Sequence, residues 1–287
     1  MKQTLGMLGL LTVTVIWGGG FVASDMALET LTPFQILAIR FLIASVFMTA
    51  LGGRQLRGIT REELKCGFWL GAALFGGFAL QIIGLQYTTP SKNAFLTATN
   101  VVLVPFIALV FYRKKVAAQS LIGAGMALVG AGVLALQKNF SLGLGDALTL
   151  GCAVCFAMQI FLTGAYVGKI RPTVLNFLQM TTACLLSVAG MLLAGEFPPV
   201  ASGKSWLAVL YLGVVSTTVT YLLQTVSQKY VDETKSAIIL SLESVFGTVF
   251  SVLILHEAIS ARMVLGSALI LIAVLVSQIP VRRKSNA

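Results

Sequence analysis

Two ionisable residues lie deep inside apolar stretches of the chain, and they are where chemistry would be sought first. Arg40 falls seven residues after Pro33, about 10 Å along a helix at 1.5 Å per residue. A cation at that depth in a bilayer must be paired or face water. Its planar fork suits a carboxylate or phosphate; the alternatives are a structural ion pair or a cap on helix carbonyls. Glu243 is an acid well inside an apolar run, eight positions after Lys235. It can exchange a proton, receive a substrate amine, or pair with Arg40. Trp17, Gln81, Tyr87, Asn93, Thr97, Asn100, Gln159, Gln179, Tyr221 and Gln224 add polar or aromatic groups at similar depth. Asn93, Thr97 and Asn100 follow i, i+4, i+7 spacing and would share one helix face. Amides of this kind either grip a polar solute or hold membrane helices together. Trp17 also suits an interfacial anchor.

The elements that carry these residues follow from composition. Of 287 residues, 57% are hydrophobic and 10% charged, against about 25% charged in an average soluble domain, and mean hydropathy is +0.93. That excludes a soluble enzyme. The net charge of +10 is not gathered into a basic patch interleaved with aromatics, so nucleic acid is not a partner. Ten apolar runs can be read, at 4–24, 33–51, 66–86, 91–112, 116–136, 146–167, 172–194, 205–227, 235–255 and 261–279. A bilayer admits only helices or closed barrels, and the unbroken Leu- and Ala-rich runs select helices. Cys66, Cys152, Cys155 and Cys184 read as packing thiols, and the first run as a retained helix. No metal or cofactor is called for.

Charge placement sets the expected topology. Lys2, Arg54, Arg57, Arg61, Lys65, Arg113, Lys114, Lys115, Lys169, Arg171, Lys229, Lys235, Arg282, Arg283 and Lys284 fall on one side; Lys92, Lys138, Lys204 and Arg262 fall on the other. The asymmetry puts both termini in the cytoplasm. Shifting the chain by 143 residues superposes Gln81 on Gln224, Tyr87 on Tyr230, Lys92 on Lys235, Asn100 on Glu243 and Gly123 on Gly266. Two five-helix halves, 1–138 and 139–287, follow. Five is odd, so the second half enters the membrane from the opposite side, and an inverted repeat of this kind implies a midplane site at the interface of the halves.

Trp17-Gly18, Pro33 with Arg40, residues 93–107 (NAFLTATNVVLVPFI), Gly123, Gly145-Asp146, residues 236–246 (SAIILSLESVF), His256-Glu257 and Gly266 together resemble the EamA-type members of the drug/metabolite transporter superfamily. The likeness spans nearly the whole chain. It implies ten helices in two EamA repeats around a central cavity, and carriage of metabolites, often amino acids, across the cytoplasmic membrane. The sequence departs from the family twice. Lys114 stands where a Glu is common, and Ser244 follows Glu243 where Pro is usual, which predicts a straighter ninth helix.

The combined reading is an all-α integral membrane protein that moves a small polar metabolite by alternating access, as a secondary transporter or facilitator, with export the expected direction. Protons are the candidate coupling ion, and a homodimer is left open. Multidrug efflux is the competing transporter reading, disfavoured because Arg40 would repel a cation. A membrane-embedded lipid-modifying enzyme is the reading from another class; no nucleophile–base pair or acid cluster supports it. Gly18-Gly19-Gly20 lacks the strand and Lys of a phosphate loop and reads as close packing. The stripe Ser241, Ser244, Thr248 and Ser251 reads likewise, and Glu257 as fixing the turn before Ala261.

Overall fold

The computed structural model describes residues 2–110, 112–113, 116–135, 143–196 and 201–277. Lys114, Lys115, Lys138, Arg282, Arg283, Lys284 and the expected junction at 138/139 lie outside the described residues. The chain forms α1 (Lys2–Leu28), α2 (Pro33–Gly52), α3 (Arg61–Leu85), α4 (Pro90–Thr97), α5 (Asn100–Val110), α6 (Ala118–Ala135) and α7 (Leu144–Tyr166). It continues as α8 (Pro172–Leu193), α9 (Gly203–Leu210), α10 (Thr220–Gln228), α11 (Glu233–Leu240), α12 (Glu243–Leu255) and α13 (Ala261–Ser277). Pairs α4/α5 and α11/α12 are two halves of one span each. A π-helical stretch, Tyr211–Val219, joins α9 to α10 in a third. Among the described residues, eight spans are long and apolar enough to cross a bilayer, at eight of the ten expected segments; at the other two, α6 and α13 are shorter apolar helices.

Local sequence explains the helix starts. Thr32 caps α2 by accepting from the Gln35 amide, with Pro33 at the first turn, and Thr60 caps α3 through Glu63. Both are capping boxes. Thr89, followed by Pro90, caps α4 by accepting from the Lys92 backbone N–H, and Asp232 caps α11 by accepting from that of Lys235.

Packing follows the repeat. Helices α2 and α8 run antiparallel: Phe34, at the start of α2, lies over Gly190 near the end of α8, and Arg171, which precedes α8, bonds the Gln55 carbonyl just past α2. Helix α3 packs on α7 and α8, α1 on α12 and the α9–α10 span, and α6 on α13. The two halves are tied at both ends of α2 and α8. At one end Arg171 embraces Glu63 through Nε and Nη2, at 2.8 and 2.9 Å, which raises the arginine pKa further. At the other, Thr32 donates to the Glu196 carboxylate and the Gln35 amide to its carbonyl. Large apolar side chains such as Leu42, Val46, Phe47 and Leu193 remain exposed on the outside, the surface a lipid environment favours.

The ninth-helix expectation fails. Although Ser244 replaces the proline, the helix is interrupted between α11 and α12. Here Leu242, Ser244 and Val245 donate to carbonyls three residues back, at 3.0–3.2 Å, instead of four. Side-chain hydroxyls compete with the helical ladder: Ser241 Oγ donates to the Ile238 carbonyl and Ser244 Oγ to the Ser241 carbonyl, both at 2.7 Å. In the first half Thr99, Val101 and Val102 make the same three bonds, each 143 residues earlier. The break is therefore a property of the repeat, not of a proline.

Gly18 illustrates how tightly the spans close. A Cβ there would lie 2.5 Å from Phe246 Cβ and 2.8 Å from the Gly247 nitrogen on α12. Gly18→Val is expected to lower the melting temperature in detergent and the yield of monodisperse protein, measured by thermal scanning and gel filtration. Gly125→Val, where nothing lies within 4 Å, should leave both unchanged.

Candidate functional site

A cavity lies where α1, α2, α3, α5, α7, the π-helical stretch, α10 and the α11/α12 break converge. Its lining includes Trp17, Phe21, Ser24, Arg40, Phe78, Gln81, Asn100, Phe156, Gln159, Ser216, Tyr221 and Glu243. All of these but Trp17 are buried. The cavity volume is about 40 Å³.

Arg40 anchors one side. It is 2% exposed, its Nε donates to Thr217 Oγ1 at 2.6 Å, and its guanidinium lies 3.8 Å from the centroid of the Phe78 ring. Burial of a cation without a carboxylate is costly, yet among the described residues no ion pair includes Arg40. Cation–π contact with Phe78, and a longer one to Phe41 at 5.9 Å, recovers part of that cost. Glu243 opens α12 on another side, where a helix N-terminus favours negative charge. It too is buried and joins no described ion pair. The two charges share one cavity without bonding each other.

Trp17 is no interfacial anchor: its indole donates to the Ser216 carbonyl at 3.1 Å and Thr220 Oγ1 at 2.9 Å, and its ring packs on Tyr221 at 5.1 Å. Asn100, the repeat mate of Glu243, reaches the cavity, and its Oδ1 is buried with no partner. Asn93 and Thr97 do not share its surroundings, because the break after α4 turns them away. Asn93 donates to the Gln81 carbonyl and Thr149 Oγ1 at 3.1 and 3.0 Å, and Thr97 receives the Gln81 amide at 3.2 Å. Those two hold α3, α4 and α7 together.

The repeat mates Gln81 and Gln224 also part company. Gln81 lines the cavity, whereas Gln224 is fully buried behind Gln159, to which it donates at 3.3 Å. Gln159 passes the chain to Gln179 at 3.4 Å, and Gln179 to Asn176 at 2.6 Å. Tyr87 lies outside the cavity lining, 61% exposed past the end of α3. Glu257 accepts from Ser91 at 2.6 Å, joining the two halves at the loop before α13.

Sequence reasoning passed over Phe78, Phe156, Ser216 and Thr217. The aromatics look like any core residue by type. The hydroxyl run Ser216-Thr217-Thr218 followed by Thr220 was the available signal, since four hydroxyls in five positions are unusual inside an apolar span. In the π-helical stretch Thr217 and Thr218 donate to carbonyls five residues back, Leu212 and Gly213, at 2.7 and 2.8 Å. Such widened turns recur at functional sites.

The family model for the EamA-like transporter family matches residues 4–136 and 143–278. A protein of Archaeoglobus fulgidus named an uncharacterized transporter is 33% identical over 282 residues, covering 96% of this chain and 86% of its own. The Bacillus subtilis protein named uncharacterized transporter YoaV is 23% identical over 275 residues, covering 92% and 93%. A solved crystal structure superposes with a TM-score of 0.77 at 20% identity, covering 95% and 96%, which shows a shared fold.

The amide chain makes a stability prediction. Gln179→Leu removes an acceptor for Gln159 and a donor to Asn176 inside the bundle. It should cost about 1–3 kcal/mol, read as a lowered melting temperature in detergent. Tyr87→Phe, on the exposed side chain, should be neutral in the same assay.

Proposed function

The chain belongs to the EamA-like transporter family, and from that membership we propose that it moves a small polar metabolite, an amino acid or related zwitterion, across the cytoplasmic membrane by alternating access. The observation that carries the substrate class is the pairing within one cavity of a guanidinium and a carboxylate that do not neutralise each other. A zwitterion answers both charges at once, its carboxylate toward Arg40 and its ammonium toward Glu243. The neutral cavity residues Gln81, Asn100 and Gln159 supply hydrogen bonds between the two ends.

The alternating step draws support from the repeat. Two halves of similar backbone, meeting at helices broken at equivalent points, are the arrangement in which one packing opens to each side. The cavity stands between them. The basic loop residues argue for both termini in the cytoplasm, and export is the expected direction. Glu243 is the residue proposed to exchange a proton if transport is coupled, since a buried carboxyl with no cationic partner can be neutralised by a proton or by a substrate ammonium.

Reconstitution in liposomes with a labelled amino-acid panel, with and without a pH gradient, tests the reading. At least one panel member should accumulate. Arg40→Gln and Glu243→Gln should each reduce its uptake at least tenfold with the melting temperature retained. Uptake of the Glu243→Gln variant should also lose any response to the gradient. Wild-type rates in both variants would overturn the site, and a panel with no transported member would overturn the substrate class.

A further inference from the structure

The guanidinium of Arg40 is held in a way that leaves one edge for a ligand. Its Nε is taken by Thr217 Oγ1 at 2.6 Å. One face is covered by the Phe78 ring, 3.8 Å away. Among the described residues no hydrogen bond engages Nη1 or Nη2, and Arg40 lines the cavity. A guanidinium can grip a two-oxygen anion side-on, through Nε and one Nη, or end-on, through both Nη groups. Thr217 occupies the side-on position, so only the end-on fork remains.

Thr217 is itself locked. Its hydroxyl proton goes to the Leu212 carbonyl at 2.7 Å, so its oxygen can only accept from Arg40. That bond spans five residues and exists because the chain is π-helical over Tyr211–Val219. The widened turn thus aims an acceptor at Nε, and Nε fixes the rotation of the whole planar group. Glu243 in the same cavity argues against a doubly charged anion, because Arg40 offsets only one negative charge. The cavity volume of about 40 Å³ argues for a compact one.

We infer that Thr217 is a positioning and specificity-determining residue: from the π-helical turn it presents Arg40 end-on, making that end of the cavity a receptor for a single carboxylate group rather than for a phosphate or a neutral amide. The inference rests on the reading of the cavity as the substrate site and deepens it by naming the residue that orients Arg40 toward the carboxylate.

The test uses full-length protein in detergent with Trp69→Phe and Trp206→Phe, so that Trp17, on the cavity wall, reports alone. Acetate, its neutral isostere acetamide, and inorganic phosphate are the probes. Acetate should shift Trp17 emission saturably, and acetamide and phosphate should bind at least tenfold more weakly. Thr217→Val should weaken acetate at least tenfold and erase the preference over acetamide, while Thr217→Ser should stay within about threefold of wild type. Arg40→Lys, which keeps charge but loses the fork, should behave like Thr217→Val. If Thr217→Val does not fold, Thr217→Ala takes its place with the same expected loss.

Unchanged acetate affinity in the valine or alanine variant overturns the inference. So does equal binding of acetate and acetamide, preference for phosphate, or no saturable acetate binding by the wild type. The two readings fail separately. Thr217-dependent acetate binding with no amino acid transported would sink the proposed function and leave the inference standing. Amino-acid transport with an unaltered KM in the Thr217→Val or Thr217→Ala variant would do the reverse, because a merely structural threonine would change the amount of active protein and not KM.

Discussion

A guanidinium buried in an apolar bundle with no carboxylate to answer it is the constraint on which the centre of this protein is organised. Removing a charge from water costs several kcal/mol even after relaxation. Arg40 meets that cost in pieces: a hydroxyl at Nε, an aromatic face beneath, and a small polar cavity at its free edge. Each piece comes from a different span: α3 brings Phe78 and the α9–α10 span brings Thr217. The helix that carries Arg40 is packed antiparallel on α8, and bonded at both ends to the other half through Arg171 and Glu196. The residue is therefore held by the same contacts that hold the halves together. A change in how the halves meet would be felt at the guanidinium.

The backbone of the two halves is more symmetric than their chemistry. The breaks after Thr97 and after Leu240 share the same three short-range hydrogen bonds, and the first residue past each break, Asn100 or Glu243, reaches the cavity. One is neutral and one acidic. Gln81 and Gln224 start from equivalent positions and diverge, one onto the cavity and the other behind Gln159. Thr32 and Arg171 likewise stand at equivalent helix starts, yet one makes neutral-to-carboxylate bonds and the other a two-point ion pair. A duplicated scaffold supplies two similar packings at low cost, and the side chains then make the two ends unequal.

What could be read beforehand divides along a physical line. Hydrophobic run length, charge at loop ends and the 143-residue repeat are properties of the chain against a bilayer, and they located the eight long spans, while α6 and α13 are shorter than a full span. The importance of Arg40 and Glu243 was legible for the same reason, since a charge in an apolar run has few explanations. Which neutral groups surround them was not. Asn93 and Asn100 look alike on an ideal helix, and only the turn between them sends one to α7 and the other to the cavity. The ninth-helix break is not legible from proline alone, because the same three short-range backbone bonds interrupt the helix at the equivalent point of both halves. The π-helical stretch left a trace in its crowded hydroxyls, but residue type alone does not say that a turn widens by one residue.

These local irregularities converge. The two helix breaks set Asn100 and Glu243 at the cavity, and the widened turn supplies Thr217 and the Ser216 carbonyl, which hold the cavity residues Arg40 and Trp17. Regular helix would have kept those backbone groups bonded within each span, with nothing to offer a solute. In a bilayer, departures from helical bonding are tolerated only where protein or a polar cavity satisfies them. Three departures around one cavity compound the constraint: each needs the polar space the others help to create. The apolar remainder of the bundle can be varied residue by residue under packing alone, while this centre has to be conserved in geometry as a unit if its charges are to stay unpaired and available.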